Sequence, residues 1–275
     1  MTLMKRVIIF GPTSWDTVIK IEKYPKNGGF AQGINRTERP GGAGMNVAAA
    51  VASSGVRTRL ISYVGDDNIG DYLLEYLKST DIQELDVRVL PGASLHSVVT
   101  VDNNGERTIL ALEQNRFSEI NSQVTFQSND LIAFPIWRNF YKTMLAAARQ
   151  IGATTIVGLN AIQEENVRAE YIVGSINDVI DFEFVSDRFK MAIVTKGSQG
   201  VEVIDGEKRF HLSAKLVPIV DTTGAGDSFL AGLLVGLAQG KSAIKSAEIG
   251  IHWASVAIQG NSSVPPLWDE IQKLN

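Results

Sequence analysis

Cysteine is absent from the 275-residue chain, and only three histidines occur, His96, His211 and His252. Neither a disulfide framework nor a thiolate metal site can therefore form, and the histidines are too scattered for a zinc cluster. Near the amino terminus there is no long apolar run. The first apolar stretch, Val7–Phe10, is far shorter than the ~20 residues of a membrane span. This composition fits a reducing cytoplasm, and we expect neither export nor membrane insertion.

Neither sign of charge dominates, since 26 Lys and Arg face 30 Asp and Glu for a formal net charge of -4. Such a chain has no basic field to attract nucleic acid or an anionic membrane. With 44% hydrophobic and 20% charged residues, it can bury a full core as an ordinary soluble globular protein. The expected partners are small molecules.

Short apolar runs that end near glycine or polar residues predict buried parallel strands, at residues 7–11, 60–65, 131–134, 155–158 and 192–195. Helical patterns occur at residues 45–54, 69–77, 140–151, 224–239 and 243–258. A further hairpin is predicted from residues 200–206 and 209–212. The alternation indicates one α/β domain over residues 1–275, a three-layer sandwich with a mostly parallel central sheet.

Two segments break this alternation. Residues 97–101 and 107–112 flank a strong hairpin turn signal at residues 102–105, and residues 17–39 alternate without a helical period. Because a βα unit separates the two pieces, one small sheet built from both would cover an edge of the domain. We therefore predict a discontinuous antiparallel β lid from about residues 14–40 and 92–113, which suits an enzyme that excludes water.

A glycine-rich segment, Asp221-Thr-Thr-Gly-Ala-Gly-Asp227, follows an extended apolar stretch and opens a helix. The unpaired backbone N–H groups at such a helix start, together with the helix dipole, form an anion site. Asp227 would repel phosphate there unless it has another task, and taking a proton from an attacking hydroxyl is one. The local pattern leaves open that Asp227 is only a first-turn carboxylate.

A second glycine cluster, Gly41-Gly-Ala-Gly-Met-Asn46, leads into an alanine-rich helix. Its glycines permit close backbone approach, and the Asn46 amide offers both a donor and an acceptor to a polyol. Asp16 follows the first strand at the edge where open α/β sheets bind ligands, and its carboxylate can pair with two sugar hydroxyls. A common turn, a first-turn asparagine and a solvated aspartate remain the alternative interpretations.

Other glycine patterns do not support a nucleotide-binding motif. Gly240-Lys-Ser242 has Val235 where a P-loop needs glycine, and the first strand is followed by a single glycine and Pro12 instead of a dinucleotide fingerprint. The four-residue spacing of Gly232, Gly236 and Gly240 predicts close helix packing, with Gly240 as the stop.

Together, residues 41–46 and 221–229 resemble the amino- and carboxyl-terminal signatures of the ribokinase-like (PfkB) carbohydrate kinases, and the order of elements resembles that family over most of the chain. The resemblance implies that Asp227 deprotonates the substrate hydroxyl. It implies an anion hole for the transferring phosphate at Gly224, Ala225 and Gly226. It also implies that the sugar is held by Asp16, Gly42 and Asn46.

The resemblance further implies ATP and Mg²⁺ as cofactors. The nucleotide-binding positions that it implies are Thr195, Gly197, Gly200 and His252. Asp221 and Thr223 match positions that bind a monovalent cation in potassium-activated members. His96 and His211 lie in predicted hairpin strands and receive no role.

This chain departs from the family at the Asn-x-x-Glu motif, which helps to organise Mg²⁺ and phosphate. The nearest candidate is Asn177-Asp-Val-Ile180, in which Ile180 stands in place of the glutamate. Ile180 cannot act on a metal through water. Either Asp178 or Asp181 therefore substitutes for the glutamate, or the role is lost. The short stretch from there to Ala192 suggests a missing helix. Ser14 and Ala43 replace the Asn and Lys of many ribose-specific members, which indicates an altered sugar pocket.

The leading hypothesis is an ATP-dependent kinase for a hydroxyl of a sugar or sugar phosphate. A nucleoside kinase on the same fold and a non-catalytic sugar- or nucleotide-binding protein are the alternatives, and the sequence does not identify the acceptor. The exposed strand edges of the lid hairpins predict a homodimer that pairs lid to lid.

Overall fold

The computed structural model describes residues 4–103, 105, 107–114, 116–120, 124–180, 182–260, 262 and 264–273. The strands of this part are, in chain order, β1 (Val7–Phe10), β2 (Ser14–Ile21), β3 (Gly33–Gly41), β4 (Thr58–Gly65), β5 (Glu84–Leu90), β6 (His96–Val101), β7 (Arg107–Ala111), β8 (Leu131–Phe134), β9 (Thr154–Gly158), β10 (Ala169–Ser175), β11 (Phe189–Thr195), β12 (Val201–Asp205) and β13 (Lys208–Leu212). The α-helices are α1 (Ala43–Ser53), α2 (Asn68–Lys78), α3 (Lys142–Gln150), α4 (Ala225–Ala238), α5 (Ala243–Ala257) and α6 (Trp268–Gln272).

Nine strands form the central sheet, in the order β13-β12-β11-β10-β9-β8-β1-β4-β5. The pairs from β11 to β5 are parallel, and the β12–β13 hairpin extends the sheet antiparallel at one edge. The predicted strands are all present. The sequence did not predict β5 and β10, because β5 alternates charged and apolar residues at the sheet edge and β10 carries Glu170, whose carboxylate accepts hydrogen bonds from Thr155.

Alternate residues of each strand enter two different cores. Val7 and Ile9 of β1 pack in the core that includes α1, α4 and α5, whereas Ile8 and Phe10 pack in the core on the α3 side. Helices and irregular segments thus cover both faces of the sheet. The predicted three-layer α/β fold is confirmed. Among the described residues, no helix has the length and apolar character needed to cross a membrane.

The crossover from β10 to β11 lacks an α-helix in its described residues, as the shortened sequence suggested. It carries a single 3-10 turn, Ile176–Asp178, and otherwise irregular backbone. Phe182 and Phe184 pack against the core on the α3 side in place of a helix. This connection therefore covers the sheet with aromatic side chains.

The lid is a separate four-stranded sheet, in the order β3-β2-β6-β7. Both hairpins, β2–β3 and β6–β7, are antiparallel, but β2 and β6 pair in parallel. The reason lies in the chain path, because β2 follows β1 and β6 follows β5, and both parallel strands send the chain out at the same end of the main sheet. The predicted lid is confirmed, with β3 continuing to Gly41.

Helices α4 and α5 pack so closely that only glycine fits at two of their contact positions. A Cβ atom on Gly232 would lie 2.7 Å from the Cα of Gly250, and one on Gly236 would lie 2.6 Å from the hydroxyl of Ser246. Gly240 has φ 78° just beyond α4, a conformation that suits a helix stop. The predictions of close packing and of the stop are confirmed.

Candidate active site

The segment that leads into α4 folds as a tight turn. The Thr223 amide donates to Asp221 Oδ1 at 2.8 Å, and the Ala225 amide donates to the Thr222 carbonyl at 3.2 Å. Gly224, with φ 79°, occupies the left-handed region at the N-cap of α4. Glycine adopts this backbone without a steric penalty, and the turn then presents the helix N-terminus to the space above it.

Three backbone amides remain open at this helix start, including that of Gly224, which donates to no carbonyl among the described residues. Those of Gly226 and Asp227 likewise bind no carbonyl among the described residues, whereas the Ala225 amide is committed to the turn. No atom lies within 4 Å of the position that a Cβ on Gly226 would occupy. The sequence predicts an anion hole at Gly224, Ala225 and Gly226, and of these three amides only that of Ala225 is committed to the turn.

Asp227 lies half-buried in the first turn of α4. Burial, the largest cause, raises the pKa of its carboxyl to about 6, which the hydrogen bond from Asn46 and the charge of Arg107 oppose and the charge of Asp16 reinforces. The helix dipole alone would predict a carboxyl that ionises easily, but desolvation outweighs it. With a pKa of about 6, roughly ten carboxylates exist for each carboxylic acid at pH 7.

Asn46 connects the two glycine clusters. Its side chain is 4% exposed, and its Nδ2 donates to Asp227 Oδ2 at 2.8 Å across 181 positions of sequence. The start of α1 is held by close backbone packing, because Gly42 has φ 97° and a Cβ there would lie 2.5 Å from the Pro12 carbonyl oxygen. The fold thus brings two of the predicted site residues into direct contact.

Asp16 lies in β2 on the lid face that is turned towards α4. Ser14 Oγ donates to Asp16 Oδ1 at 3.1 Å, and a Cβ atom on Gly41 would collide with the other carboxylate oxygen. Burial raises the pKa of Asp16, while Ser14 and the charges of Arg39 and His96 lower it. A side chain at position 41 would therefore displace this carboxylate.

Three lid residues near the site are not among the predicted site residues. Arg39 pairs in register with Asp16, and burial lowers the pKa of Arg39 against the opposing charges of Asp221 and Asp16. Arg107 Nη1 donates to the Thr222 carbonyl at 3.3 Å. His96 Nε2 lies 2.8 Å from Thr17 Oγ1. The strand register that pairs Arg39 with Asp16 was the signal that the sequence could not provide.

The predicted nucleotide segment follows β11. Thr195 ends that strand beside Ser175 of β10, and its Oγ1 donates to the Gly174 carbonyl at 3.3 Å. Gly200 has φ 88°, and a Cβ there would collide with the carbonyl oxygen of Leu212. Gly197, with φ 57°, faces open space. These residues lie at the carboxyl edge of the sheet, next to the crossover that contains Asp178.

His252 has both ring nitrogens engaged within the chain. Nε2 lies 3.0 Å from the Ile271 carbonyl, which can only accept, and Nδ1 lies 2.7 Å from Lys215 Nζ. These partners define a neutral imidazole that donates from Nε2 and accepts at Nδ1. A nucleotide that bound a ring nitrogen of His252 would have to displace one of them.

The region that departs from the family motif is exposed. The side chain of Ile180 is 94% exposed, and Asp178 is exposed while its Oδ2 accepts from the Ser175 amide at 2.8 Å in a capping box. Asp181, the second predicted substitute, lies outside the described residues.

The predicted monovalent cation position has side-chain oxygen atoms that are available as metal ligands. Thr223 is 6% exposed, and its Oγ1 has no hydrogen-bond partner in the described part of the chain. The Asp221 carboxylate receives the Thr223 amide at one oxygen. Oxygen ligands of this kind suit a hard cation. Outside such small sets, the described residues contain no group of three or more His, Asp or Glu side chains arranged to hold a metal ion.

The chain matches the pfkB family carbohydrate kinases over residues 4–159 and 135–270, nearly its whole length. It belongs to this family. Membership makes this PfkB protein a carbohydrate kinase, a phosphotransferase with an alcohol group as acceptor, which confirms the resemblance drawn from the two glycine clusters.

Two curated relatives of this PfkB protein are named for different acceptors. It is 25% identical to the ribokinase of Bacillus subtilis, over 98% of this chain and 99% of the relative. It is 26% identical to the nucleoside kinase of Methanocaldococcus jannaschii, over 98% and 96% of the two chains. Sugar kinases and a nucleoside kinase therefore lie at similar distances from this PfkB protein.

The fold also matches a solved structure. The ribokinase of Arabidopsis thaliana, solved in complex with ribose and ATP, superposes with a TM-score of 0.74 at 21% identity and covers 99% of each chain. The PfkB fold is therefore shared over the whole length, although the identity is low.

Proposed function

We propose that this protein transfers the γ-phosphoryl group of ATP to a hydroxyl of a sugar or sugar phosphate, with Asp227 as the general base. The observation that carries the proposal is the position of the Asp227 carboxylate, half-buried and directly beside the open amides of Gly226 and Asp227 at the start of α4. A base and an anion site at one helix terminus are the two parts that phosphoryl transfer requires.

In the proposed reaction, Asp16 and Asn46 orient the acceptor so that one hydroxyl faces Asp227. The Asp227 carboxylate takes the hydroxyl proton while the acceptor oxygen forms a bond to phosphorus and the bond to the leaving diphosphate oxygen breaks. The amides of Gly226 and Asp227 stabilise the charge on the transferring phosphoryl oxygens. Asp227 then returns its proton to solvent, which a pKa of about 6 permits at neutral pH.

The nucleotide side of the proposal rests on the segment from Thr195 to Gly200, which lies at the same sheet edge as the crossover after β10. The Arabidopsis relative was solved with ATP, which supports ATP as the donor. Mg²⁺ would neutralise charge on the phosphates, and Asp178 is the described carboxylate that fits a role beside it, since a single carboxylate plus phosphates is a common Mg²⁺ environment.

A monovalent cation is the third cofactor that we propose, held by the Asp221 carboxylate and by Thr223, whose buried hydroxyl lacks a partner among the described residues. Asp221 and Thr223 belong to the same segment as the open amides at the start of α4. A cation there would strengthen the positive potential of that segment for phosphate.

A nucleoside kinase remains the second candidate, because the nucleoside kinase of Methanocaldococcus jannaschii is as similar to this chain as the ribokinase of Bacillus subtilis. A non-catalytic binding protein is disfavoured, since a half-buried carboxylate beside an anion site is the arrangement that a general base for phosphoryl transfer requires.

The test is a coupled ADP-release assay with hexoses, pentoses, their phosphates, polyols and nucleosides as acceptors. We expect one acceptor class to stimulate ADP release and Asp227→Asn to lower the rate by ~10²–10⁴. Asp71→Asn is the matched control, because Asp71 is an exposed first-turn aspartate of α2 and should behave like the parent. Full turnover by Asp227→Asn would refute the proposal.

A further inference from the structure

Asn46 was expected to bind the sugar, yet its amide nitrogen is already used by the base. The side chain is 4% exposed in the first turn of α1, and Nδ2 donates to Asp227 Oδ2 at 2.8 Å. The orientation of the amide follows from charge, because the opposite flip would place two oxygen acceptors against each other. A neutral donor is therefore fixed against one specific oxygen of the carboxylate.

The backbone below Asn46 is held rigidly. A Cβ on Gly44 would collide with the backbone of Gly11, and the Met45 amide donates to the Pro12 carbonyl at 3.2 Å. The first turn of α1 is thus packed onto the segment that follows β1. The later turns of α4 are packed closely against α5 through Gly232 and Gly236. The Asn46–Asp227 bond therefore ties the first turn of α4 to the closely packed start of α1.

We propose that Asn46 is a positioning residue for the catalytic base, holding Oδ2 of Asp227 so that Oδ1 is the oxygen that accepts the proton of the acceptor hydroxyl. The proton-transfer part of this inference rests on the proposed kinase function. A carboxylate pinned at one oxygen cannot rotate away from the acceptor, and such alignment contributes strongly to rate, because a misplacement of about 1 Å can cost ~10²-fold.

Charged groups also act on Asp227, and their effects on its pKa must be distinguished from the effect of Asn46. Arg107 from the lid lowers the pKa of Asp227, and Asp16 from β2 raises it. Arg107 is exposed, so its influence is screened by salt, whereas the buried bond from Asn46 is not. The Asn46 contribution should accordingly persist at high ionic strength.

The experiment is a ¹³C NMR titration of the Asp227 carboxyl in the full chain, without any ligand, in the parent and in Asn46→Leu and Asn46→Ala. Asp227→Asn assigns the signal. Removal of the donor should raise the pKa of Asp227 above its parent value, by the same amount in 0.05 M and 1 M salt. The smaller Asn46→Ala keeps the test valid if Asn46→Leu does not fold. An unchanged titration in a folded variant overturns the proposal.

Steady-state kinetics with the best acceptor supplies the second readout. We expect kcat to fall ~10–10²-fold and the acid limb of the kcat profile to move to higher pH together with the NMR titration. A residue that only binds the acceptor would raise KM and leave the acid limb in place, which would overturn the proposal. If the parent lacks kinase activity with every acceptor, the proposed function fails, while the titration still decides whether Asn46 sets the state of Asp227.

Discussion

Asp227 shows how competing local effects are decided by burial. A carboxylate at a helix N-terminus gains at most about 1 kcal/mol at an exposed site, which alone would lower its pKa. In the folded chain desolvation prevails and raises the pKa to about 6, despite the hydrogen bond from Asn46. The residue is therefore costly to the fold and suited to accept a proton near neutral pH.

The pH dependence of the rate follows from this pKa. A general base acts only when ionised, so kcat/KM should be nearly constant above about pH 7 and fall tenfold per pH unit below about pH 6. Initial rates between pH 4.5 and 8.5, with saturating coupling enzymes, measure the profile. Asp71→Asn should retain it, and a flat profile down to pH 5 would contradict Asp227 as the base.

Stability should respond in the opposite direction to activity when the base is removed. The folded pKa of Asp227 lies above its ordinary value, so the folded state binds the proton more tightly and loses stability as pH rises from about 4 to above 6. Asp227→Asn removes this cost, and we expect a melting temperature higher by about 2–4 °C at pH 7.5.

Calorimetry or circular dichroism at two pH values tests the sign. The gain of Asp227→Asn should be smaller at pH 5, where the folded parent is largely protonated, than at pH 7.5. An equal gain at both values would show that the carboxylate charge is not the cause. Asp71→Asn, at an exposed helix start, provides the control without a buried charge.

Elements with regular patterns could be predicted from the sequence, and those defined by tertiary pairing could not. The glycine spacing in α4 and the turn signal before β7 each carry local information, and both were predicted correctly. The parallel pairing of β2 with β6 depends on how two distant strands leave the main sheet. For the same reason, Arg39 and Arg107 came to the site only through strand register and lid placement.

The irregular crossover between β10 and β11 contains Asp178, the carboxylate that we predict to act in Mg²⁺ binding. If Asp178 replaces the missing glutamate, Asp178→Asn should raise the Mg²⁺ concentration for half-maximal rate by ~10–100-fold. Asparagine still accepts the Ser175 amide, so the capping bond is kept. A magnesium titration of the ADP-release rate measures the effect.

Asp187→Asn is the control for that titration, since Asp187 is exposed in the same crossover. Asp181→Asn completes the set. If both Asp178→Asn and Asp181→Asn keep the parent's Mg²⁺ dependence, neither carboxylate has taken over the role, and the proposal of a substitute is wrong.

At the scale of the whole molecule, the lid leaves apolar side chains in solvent. Ile34 of the edge strand β3 and Leu110 of the edge strand β7 are both more than half exposed, and the register places Leu110 on the face opposite Asp16. A second copy of the chain could cover both edges and this face by pairing lid to lid. We therefore expect a dimer.

Light scattering at micromolar concentration tests the dimer. Ile34→Lys with Leu110→Lys should shift the mass to that of one chain, while Leu267→Lys, an exposed apolar position just before α6 and outside the lid, should not. A parent that already has the mass of one chain would contradict the prediction.

The glycine contacts between α4 and α5 have a consequence for amide exchange. Helices that touch through Gly232 and Gly250 cannot separate without a large loss of packing, so their later turns should exchange hydrogen only when the whole domain opens. The lid strands and the first turn of α4 take no part in this contact between α4 and α5. Binding of nucleotide and acceptor should therefore slow exchange at Gly226, Asp227 and the lid, and leave the later turns of α4 unchanged, which mass spectrometry of deuterated peptides can measure.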